Sequence, residues 1–383
     1  MNQLFILLLV CLLLTGCNQQ SISNKIGHQG IIRDYSNYRI NETQIDVQQI
    51  SLNNTFDNPW SIEFITDELL IITEKKGDLS LVNLSLGIVT SIKHNIPVAS
   101  YNQGGLLDIV KDKEYLYLSF TIINEKKQYT TAIGRGKFVH PYKELTDFEI
   151  VFKALPYFDN GKHFGSRIII HDNILFASIG ERGHGELAQD NSNHIGSIIQ
   201  IPLDGTAPIN HFASEKYSLP EIYQMGVRNP QGMALSDNGN IYISNHGAKG
   251  GDFIGLVKPG TNYGWDAVGW GGTNYIGTNI GNGKAFSDEF IKPILSWVPS
   301  IAPSDIIFYK GAEFNDWTND LLVTSLKYKM LIKIKIVEGL VVDESIILKD
   351  KLGRIRDVDL NSNGELFLIS DEKKSGIWKI TKN

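Results

Sequence analysis

Arg354 and Arg356 stand two residues apart, a spacing that puts both guanidinium groups on one face of a β-strand. Like charges so placed repel, so the pattern calls for an anion to lie between them. Arg228 and Lys327, in Arg228-Asn229-Pro230 and Ser325-Leu326-Lys327, supply two more cations. The chain as a whole is acidic, with 36 Lys+Arg against 42 Asp+Glu and a formal charge of −6. A cationic basin in an acidic protein suits a small polyanion. It does not suit nucleic acid, which needs clustered Lys/Arg to displace phosphate counterions. His171, His184, His194 and His246 lack zinc-like spacing, and Gly134-Arg135-Gly136-Lys137 lacks the length of a phosphate loop.

A repeat would bring these cations together. Short β-rich runs with Gly/Asn/Asp turns occur as six couplets. First strands are expected around residues 61–64, 106–109, 166–169, 231–234, 304–307 and 356–359. Second strands follow around 68–73, 115–118, 174–177, 240–243, 320–323 and 365–368. The mean interval is about 59 residues, enough for a four-stranded blade with some long loops. The pattern predicts an all-β, six-bladed β-propeller over residues 44–383, with Ile45 and Val47 supplying a strand that closes the ring against the last blade. In such a fold the first strand of every blade lines the central channel, so the residues opening each first strand converge on one mouth. Those residues include Gln103, His163, Arg228, Asn229, Ser300, Arg354 and Arg356.

The chain begins with addressing information. Leu4 to Leu14 is an unbroken apolar run, about half the ~20 residues of a membrane span, and reads as a signal-peptide core. It ends in Leu14-Thr15-Gly16-Cys17, which resembles the lipobox of bacterial lipoproteins. Residues 1–16 are then a lipoprotein signal, Cys17 is the lipidated N-terminus, and residues 17–43, rich in Asn, Gln and Ser, are a polar tether. This implies a bacterial cell-envelope location through an N-terminal lipid, at the periplasm-facing outer membrane.

Residues 58–383 resemble the soluble pyrroloquinoline quinone (PQQ)-dependent sugar dehydrogenases, the glucose/sorbosone dehydrogenase family, and most closely its aldose sugar dehydrogenase branch. The resemblance rests on ordered motifs that include Gln103-Gly104-Gly105, His163-Phe164-Gly165-Ser166-Arg167, Gly180-Glu181-Arg182-Gly183, Arg228-Asn229-Pro230-Gln231-Gly232, Trp297-Val298-Pro299-Ser300, Ser325-Leu326-Lys327 and Gly353-Arg354-Ile355-Arg356-Asp357. It implies that PQQ, a flat tricarboxylate, is held by Gln103, Arg228, Asn229, Ser300, Lys327, Arg354 and Arg356. It further implies that Ca2+ sits on the backbone carbonyls of Gly247 and Ala248, where the family usually has Pro in place of Ala248.

Catalysis is implied at His163 as proton acceptor, with Glu181 orienting it and Arg228 polarising the quinone. The acid at 181 is Glu where the family has Asp, and it is expected to raise the histidine pKa. The implied reaction is oxidation of an aldose at its anomeric carbon to the lactone, with electrons passed to a respiratory quinone or cytochrome. A non-enzymatic sugar-binding or scaffold propeller is the alternative, and retention of His163, Arg228, Lys327, Arg354 and Arg356 speaks against it. The aromatic stretch 263–272 is either a sugar-stacking platform or a packed loop.

Overall fold

A computed structural model describes residues 30–36 and 45–383. The expected signal peptide, Cys17 and most of the expected tether lie outside the described residues. Six sheets are arranged around a channel. Blade I comprises Pro59–Phe64, Leu69–Glu74, Leu79–Asn83 and Ile88–Ser91, and blade II Leu106–Asp112, Tyr115–Ile123, Tyr129–Lys137 and Thr146–Lys153. Blade III has Gly165–His171, Ile174–Ile179, Ser197–Pro202 and Ile222–Met225, with Thr261–Asn262 added in parallel. Blade IV has Pro230–Leu235, Ile241–Asn245, Asp252–Leu256 and Leu295–Trp297, and blade V Pro303–Phe308, Leu321–Ser325, Met330–Val337 and Leu340–Lys349. Blade VI contains Ile355–Leu360, Leu366–Ser370 and Ile377–Lys382, and its outer strand is Ile45–Gln49. All six couplets expected from the sequence are the inner two strands of a blade, and the ring closes where Ile45 and Val47 predict.

Each inner strand slips register against its neighbour near its start, at Pro59/Ser61, Leu106/Ile109, Gly165/Ile168, Pro230/Gly232, Pro303/Ile306 and Ile355/Asp357. A bulge frees an N–H from the ladder and re-aims side chains. In four blades a hydroxyl on the second strand accepts that N–H. Ser61 N–H donates to Thr73 Oγ1 (3.1 Å), Asp108 to Ser119 Oγ (3.0 Å), Arg167 to Ser178 Oγ (3.0 Å) and Asp305 to Thr324 Oγ1 (2.9 Å). The repeat therefore re-aims the opening residues of its inner strands by one device.

Apolar side chains fill the spaces between blades. Leu70, Ile72, Phe367 and Ile369 seal blade I to blade VI, and each such buried side chain contributes about 1.5–3 kcal/mol relative to an exposed one. The channel itself is polar. Arg167 Nη1 lies 2.9 Å from Asp108 and 2.8 Å from Asp357, and its Nε 3.3 Å from Asp305, so one buried cation ties the inner strands of blades II, III, V and VI. Trp60 separates this cluster from the mouth, with Arg167 over its ring at 4.5 Å and Arg356 at 5.6 Å.

The segment expected as a tether is in part docked on the body. Ile31–Arg33 pairs in parallel with Leu295–Trp297 as a fifth strand of blade IV, and Tyr35 is fully buried. The polar composition of residues 17–43 concealed this, because only Ile31, Ile32 and Tyr35 carry the apolar contact. Among the described residues no helix is long and apolar enough to cross a membrane.

Candidate active site

The mouth of the channel holds a cavity of about 350 Å³. Gln103, Asn229, Arg354 and Arg356 lie on its wall, together with Trp60, Lys75, Phe164, Gln231, His246 and Asp371. The other expected residues border that wall. Ser300 is hydrogen-bonded to Ala302, and Lys327, Gly247 and Ala248 directly follow Leu326 and His246.

His163 is held from three sides. Its backbone N–H donates to Gln103 Oε1 at 2.8 Å, and the next carbonyl, of Phe164, accepts from Thr131 Oγ1 at 2.8 Å. Its φ of +47° is a left-handed conformation that disfavours a side chain and persists only because its surroundings over-determine it. Gly180 is one such constraint, since a Cβ there would lie 1.9 Å from the His163 carbonyl oxygen. The ring is fixed by a short hydrogen bond between Nδ1 and Glu181 Oε1. Glu181 N–H in turn donates to the Arg228 carbonyl at 2.7 Å, and Arg228 Nε stands 4.0 Å from the same Oε1. Three motifs far apart in sequence thus interlock around one imidazole.

Burial pushes the His163 pKa down, the Glu181 hydrogen bond pulls it up, and Arg228 pushes it down again; the net shift is below the ordinary histidine value. Glu181 pulls the pKa up as expected, but desolvation and the neighbouring guanidinium outweigh it. Burial also pushes the Glu181 carboxyl up, but the hydrogen bond to His163 and the charges of His163 and Arg228 hold it below its usual value. The pair at neutral pH is a carboxylate and a neutral imidazole. Glu181 accepts the Nδ1 proton, so the Nε2 lone pair is the basic one.

Arg228 and Asn229 are aimed by Asn245, whose Oδ1 accepts both backbone N–H groups at 3.1 and 2.9 Å. The Arg228 guanidinium lies 5.4 Å above the Trp265 ring and 3.5 Å from Tyr275 Oη. Asn229 Oδ1 accepts from Gly165 N–H at 3.0 Å. Trp265 stacks on Trp270, and Tyr263 packs on Phe253, all four buried. Residues 263–272 are therefore a packed loop, and its Trp265 forms the floor under Arg228.

The Arg354/Arg356 pair departs from the electrostatic expectation. Asp371 Oδ2 lies between the two, 2.9 Å from Arg356 Nη2 and 3.5 Å from Arg354 Nη2. Burial pushes this carboxyl up, but the Arg356 charge and hydrogen bond, with Asn58 and Arg354, hold it well below the usual carboxylate range. The chain thus supplies its own anion for the pair, and the spacing alone did not require a ligand. A requirement appears at another atom. Arg356 Nε is buried on the cavity wall with no hydrogen-bond partner among the described residues. An unpaired guanidinium N–H at a cavity wall is a cost that a bound carboxylate would remove.

Lys327 Nζ donates to the Ser300 carbonyl at 2.9 Å. Asp252 organises the turn that carries Gly247 and Ala248. Its Oδ1 accepts Gly247 N–H at 2.7 Å, and its Oδ2 accepts Ser300 Oγ–H and Ala302 N–H, each at 2.7 Å. The turn is held through N–H groups, with Ala248 N–H donating to the Gly250 carbonyl at 3.1 Å. The Gly247 and Ala248 carbonyls are the hard-oxygen donors it offers. His246, next to them, is half-buried and donates from Nε2 to the Pro303 carbonyl at 2.6 Å; desolvation drives its pKa down to about 3, so it is neutral.

Sequence reasoning missed Arg182, Asn245, Asp252 and Asp371. Arg182 is buried beside Glu181 and donates to three backbone carbonyls of the loop bearing His163 or its neighbour strand: Lys162 (2.7 Å), Tyr129 (2.9 Å) and Asn160 (2.7 Å). Its guanidinium also lies 3.7 Å from the Phe164 ring centroid. Arg182 stood inside a recognised motif, but a side chain that bonds only backbone leaves no residue-type signature.

Residues 56–379 match the Glucose / Sorbosone dehydrogenase family, and the chain belongs to that family. It is 31% identical over 343 residues to aldose sugar dehydrogenase YliI of Escherichia coli K12, covering 86% of this chain and 91% of that protein. The crystal structure of the soluble aldose sugar dehydrogenase of Escherichia coli in its apo form superimposes with a TM-score of 0.84 at 29% identity, over 88% of this chain and 100% of that one. Quinoprotein glucose dehydrogenase B of Acinetobacter calcoaceticus is 24% identical over 420 residues, covering 87% of this chain and 86% of that protein.

Proposed function

We propose that the protein is a quinoprotein sugar dehydrogenase that oxidises an aldose at its anomeric carbon to the lactone. The observation that carries this reading is the His163–Glu181–Arg228 constellation: a neutral imidazole, locked by a carboxylate, beside a buried guanidinium at the edge of a cation-rich cavity. The orphaned Arg356 Nε and the Arg354, Lys75 and Lys327 charges fit a tricarboxylate, so PQQ is held by Arg354, Arg356, Lys327, Gln103, Arg228, Asn229 and Ser300, with Ca2+ on the Gly247 and Ala248 carbonyls. Support for that cofactor comes also from the relative named as a quinoprotein.

PQQ supplies a two-electron acceptor for the hydride. His163 Nε2 accepts the proton of the anomeric hydroxyl as its O–H pair becomes the second C–O bond and the C–H pair leaves as hydride. Glu181 keeps the imidazole in the tautomer with Nε2 bare and stabilises the imidazolium that forms. Arg228 places positive charge where negative charge develops during the transfer, in a site where it is little screened. Gln103 and Arg182 fix the backbone that presents the base.

An aldose is the substrate class, and a respiratory quinone or cytochrome takes the electrons. Cys17 is the lipid attachment point, which places the enzyme in the bacterial cell envelope at the periplasm-facing outer membrane. The test adds PQQ and Ca2+ to purified apoprotein and follows dye reduction with a panel of aldoses. Reduction that needs PQQ and a sugar is expected; no PQQ binding, or binding without turnover of any aldose, would sink the proposal.

A further inference from the structure

The short strand before the propeller proper docks on the outer edge of blade IV, next to the turn that bears Ser300. Ile31–Arg33 pairs with Leu295–Trp297 along the outer edge of blade IV, and the pairing continues as Val298 N–H donates to the Arg33 carbonyl at 2.9 Å. Two residues further on is Ser300. Its N–H donates to the Lys249 carbonyl at 3.0 Å, its hydroxyl to Asp252, and its carbonyl receives Lys327 Nζ. The inner edge of the same three-residue strand pairs with Asp252–Ile254, and Gly251 N–H donates to the Trp297 carbonyl at 2.8 Å.

The same end of the arm is pinned to blade V. Both Glu344 oxygens are engaged, Oε1 by Arg33 Nε at 2.6 Å and Oε2 by the Tyr35 hydroxyl in a short hydrogen bond. The Tyr35 ring is fully buried, edge-on to Trp297 with centroids 6.1 Å apart. Ile32 lies over Gly271, where a Cβ would come within 2.8 Å of Ile32 Cδ1. A three-residue strand would not by itself hold an edge position in water. Here it is held by a buried aromatic and a two-pronged carboxylate on the neighbouring blade.

We propose that residues 30–35 form a positioning arm for the cofactor end of the site, bracing strand Leu295–Trp297 so that Ser300, Asp252 and Lys327 keep the arrangement that receives the anionic cofactor. This rests on the reading that PQQ occupies the mouth. None of the arm residues lies on the cavity wall. Their effect is on the turn that bears Ser300, and on the 247–252 turn that Asp252 ties to it.

The test uses the full chain with Tyr35→Ala and Ile32→Asp, and with Tyr35→Phe, which keeps the ring and removes only the hydroxyl. Amide hydrogen exchange of the apoprotein is read at residues 247–252 and 298–302, with strand Leu69–Glu74 of blade I as the internal reference. PQQ affinity is read separately by fluorescence titration. The expected result is exchange accelerated about tenfold or more at 298–302 and 247–252 with blade I unchanged, since local opening reports local stability. PQQ binding should weaken about tenfold, with Tyr35→Phe between Tyr35→Ala and the parent in both readouts. Parent-like exchange at 298–302 while 31–33 exchanges freely would overturn the proposal, as would a uniform rise in all blades or unchanged PQQ affinity in a variant whose turn has loosened. If the parent itself binds no PQQ, the cofactor reading fails, and the exchange data still decide whether the arm braces the turn.

Discussion

Replacing Arg182 by Met tests whether the base is positioned by the backbone it sits on. The substitution keeps most of the side-chain volume over Phe164 and removes the donors to Lys162, Tyr129 and Asn160, all bonded at 2.7–2.9 Å. The Lys162 and Asn160 carbonyls lose their donor at about 1–3 kcal/mol each, while the Tyr129 carbonyl keeps the Phe158 N–H at 3.0 Å. The loss is offset because the guanidinium has no carboxylate in hydrogen-bond contact, and removing it returns the several kcal/mol spent on its desolvation. A net destabilisation of about 1 kcal/mol follows. The rate is the sharper readout. A displacement of about 1 Å in a reacting group costs about 10²-fold, so kcat should fall about that much at saturating cofactor. PQQ affinity and sugar KM should change by no more than a few-fold, because Arg182 does not itself line the cavity and Met keeps the packing behind Phe164. The assay is steady-state dye reduction at saturating PQQ and Ca2+ with a parallel urea melt. A kcat within threefold of the parent would refute the reasoning; recovery of the rate by excess PQQ would reassign Arg182 to cofactor binding.

Other expectations follow from the same geometry. Activity should fall on acidification as His163 is protonated, with the limb below the ordinary histidine value because burial and Arg228 lower its pKa; Glu181→Gln removes the one large upward influence and should move that limb to still lower pH in a kcat/KM profile. His163→Ala should cost about 10²- to 10⁴-fold in kcat with PQQ affinity retained, read by separate turnover and titration. Arg354→Ala, at a side chain 44% exposed, should fold normally and weaken PQQ binding, with most of the rate restored by excess cofactor. Cys17→Ser should yield a soluble folded protein, and mass spectrometry of the mature N-terminus should find acylated Cys17 in the parent.

The propeller was legible because its inner strands are β-rich and recur with their turns, and that pattern located all six couplets. A finer signal lay unused in the same runs. The hydroxyls of Thr73, Ser119, Ser178 and Thr324 fall at the bulge in four different blades, and a Ser/Thr late in or within the apolar run of a second strand marks the point where the inner strand turns its residues toward the mouth. The Arg354/Arg356 charge argument was less successful. It found the right wall, but it took two cations to imply an external anion when Asp371, on the adjacent strand connection, already lay between them. Charge patterning along one segment cannot register a counter-ion delivered by another. Asn245 and Arg182 were invisible for a related reason: each acts on backbone groups of distant segments, and those meetings are decided by the ring. The docked arm escaped because three apolar residues in a polar stretch give no period to read.

The closure of blade VI sets a schedule for making the protein. Ile45–Gln49 pairs with Ile377–Lys382, partners roughly 330 residues apart, a separation that slows folding because the intervening chain must be ordered first. Ile31–Arg33 waits in the same way for Leu295–Trp297. A ribosome or an export channel delivers the chain from its N-terminus, so these two strands emerge earliest and are completed last. Until then both the nascent first strands and the edges of the growing blades are open to pairing with other chains. Loss of the final few residues would therefore do more than fray a terminus. It would leave a ring with two complementary edges, a natural template for strand exchange between molecules.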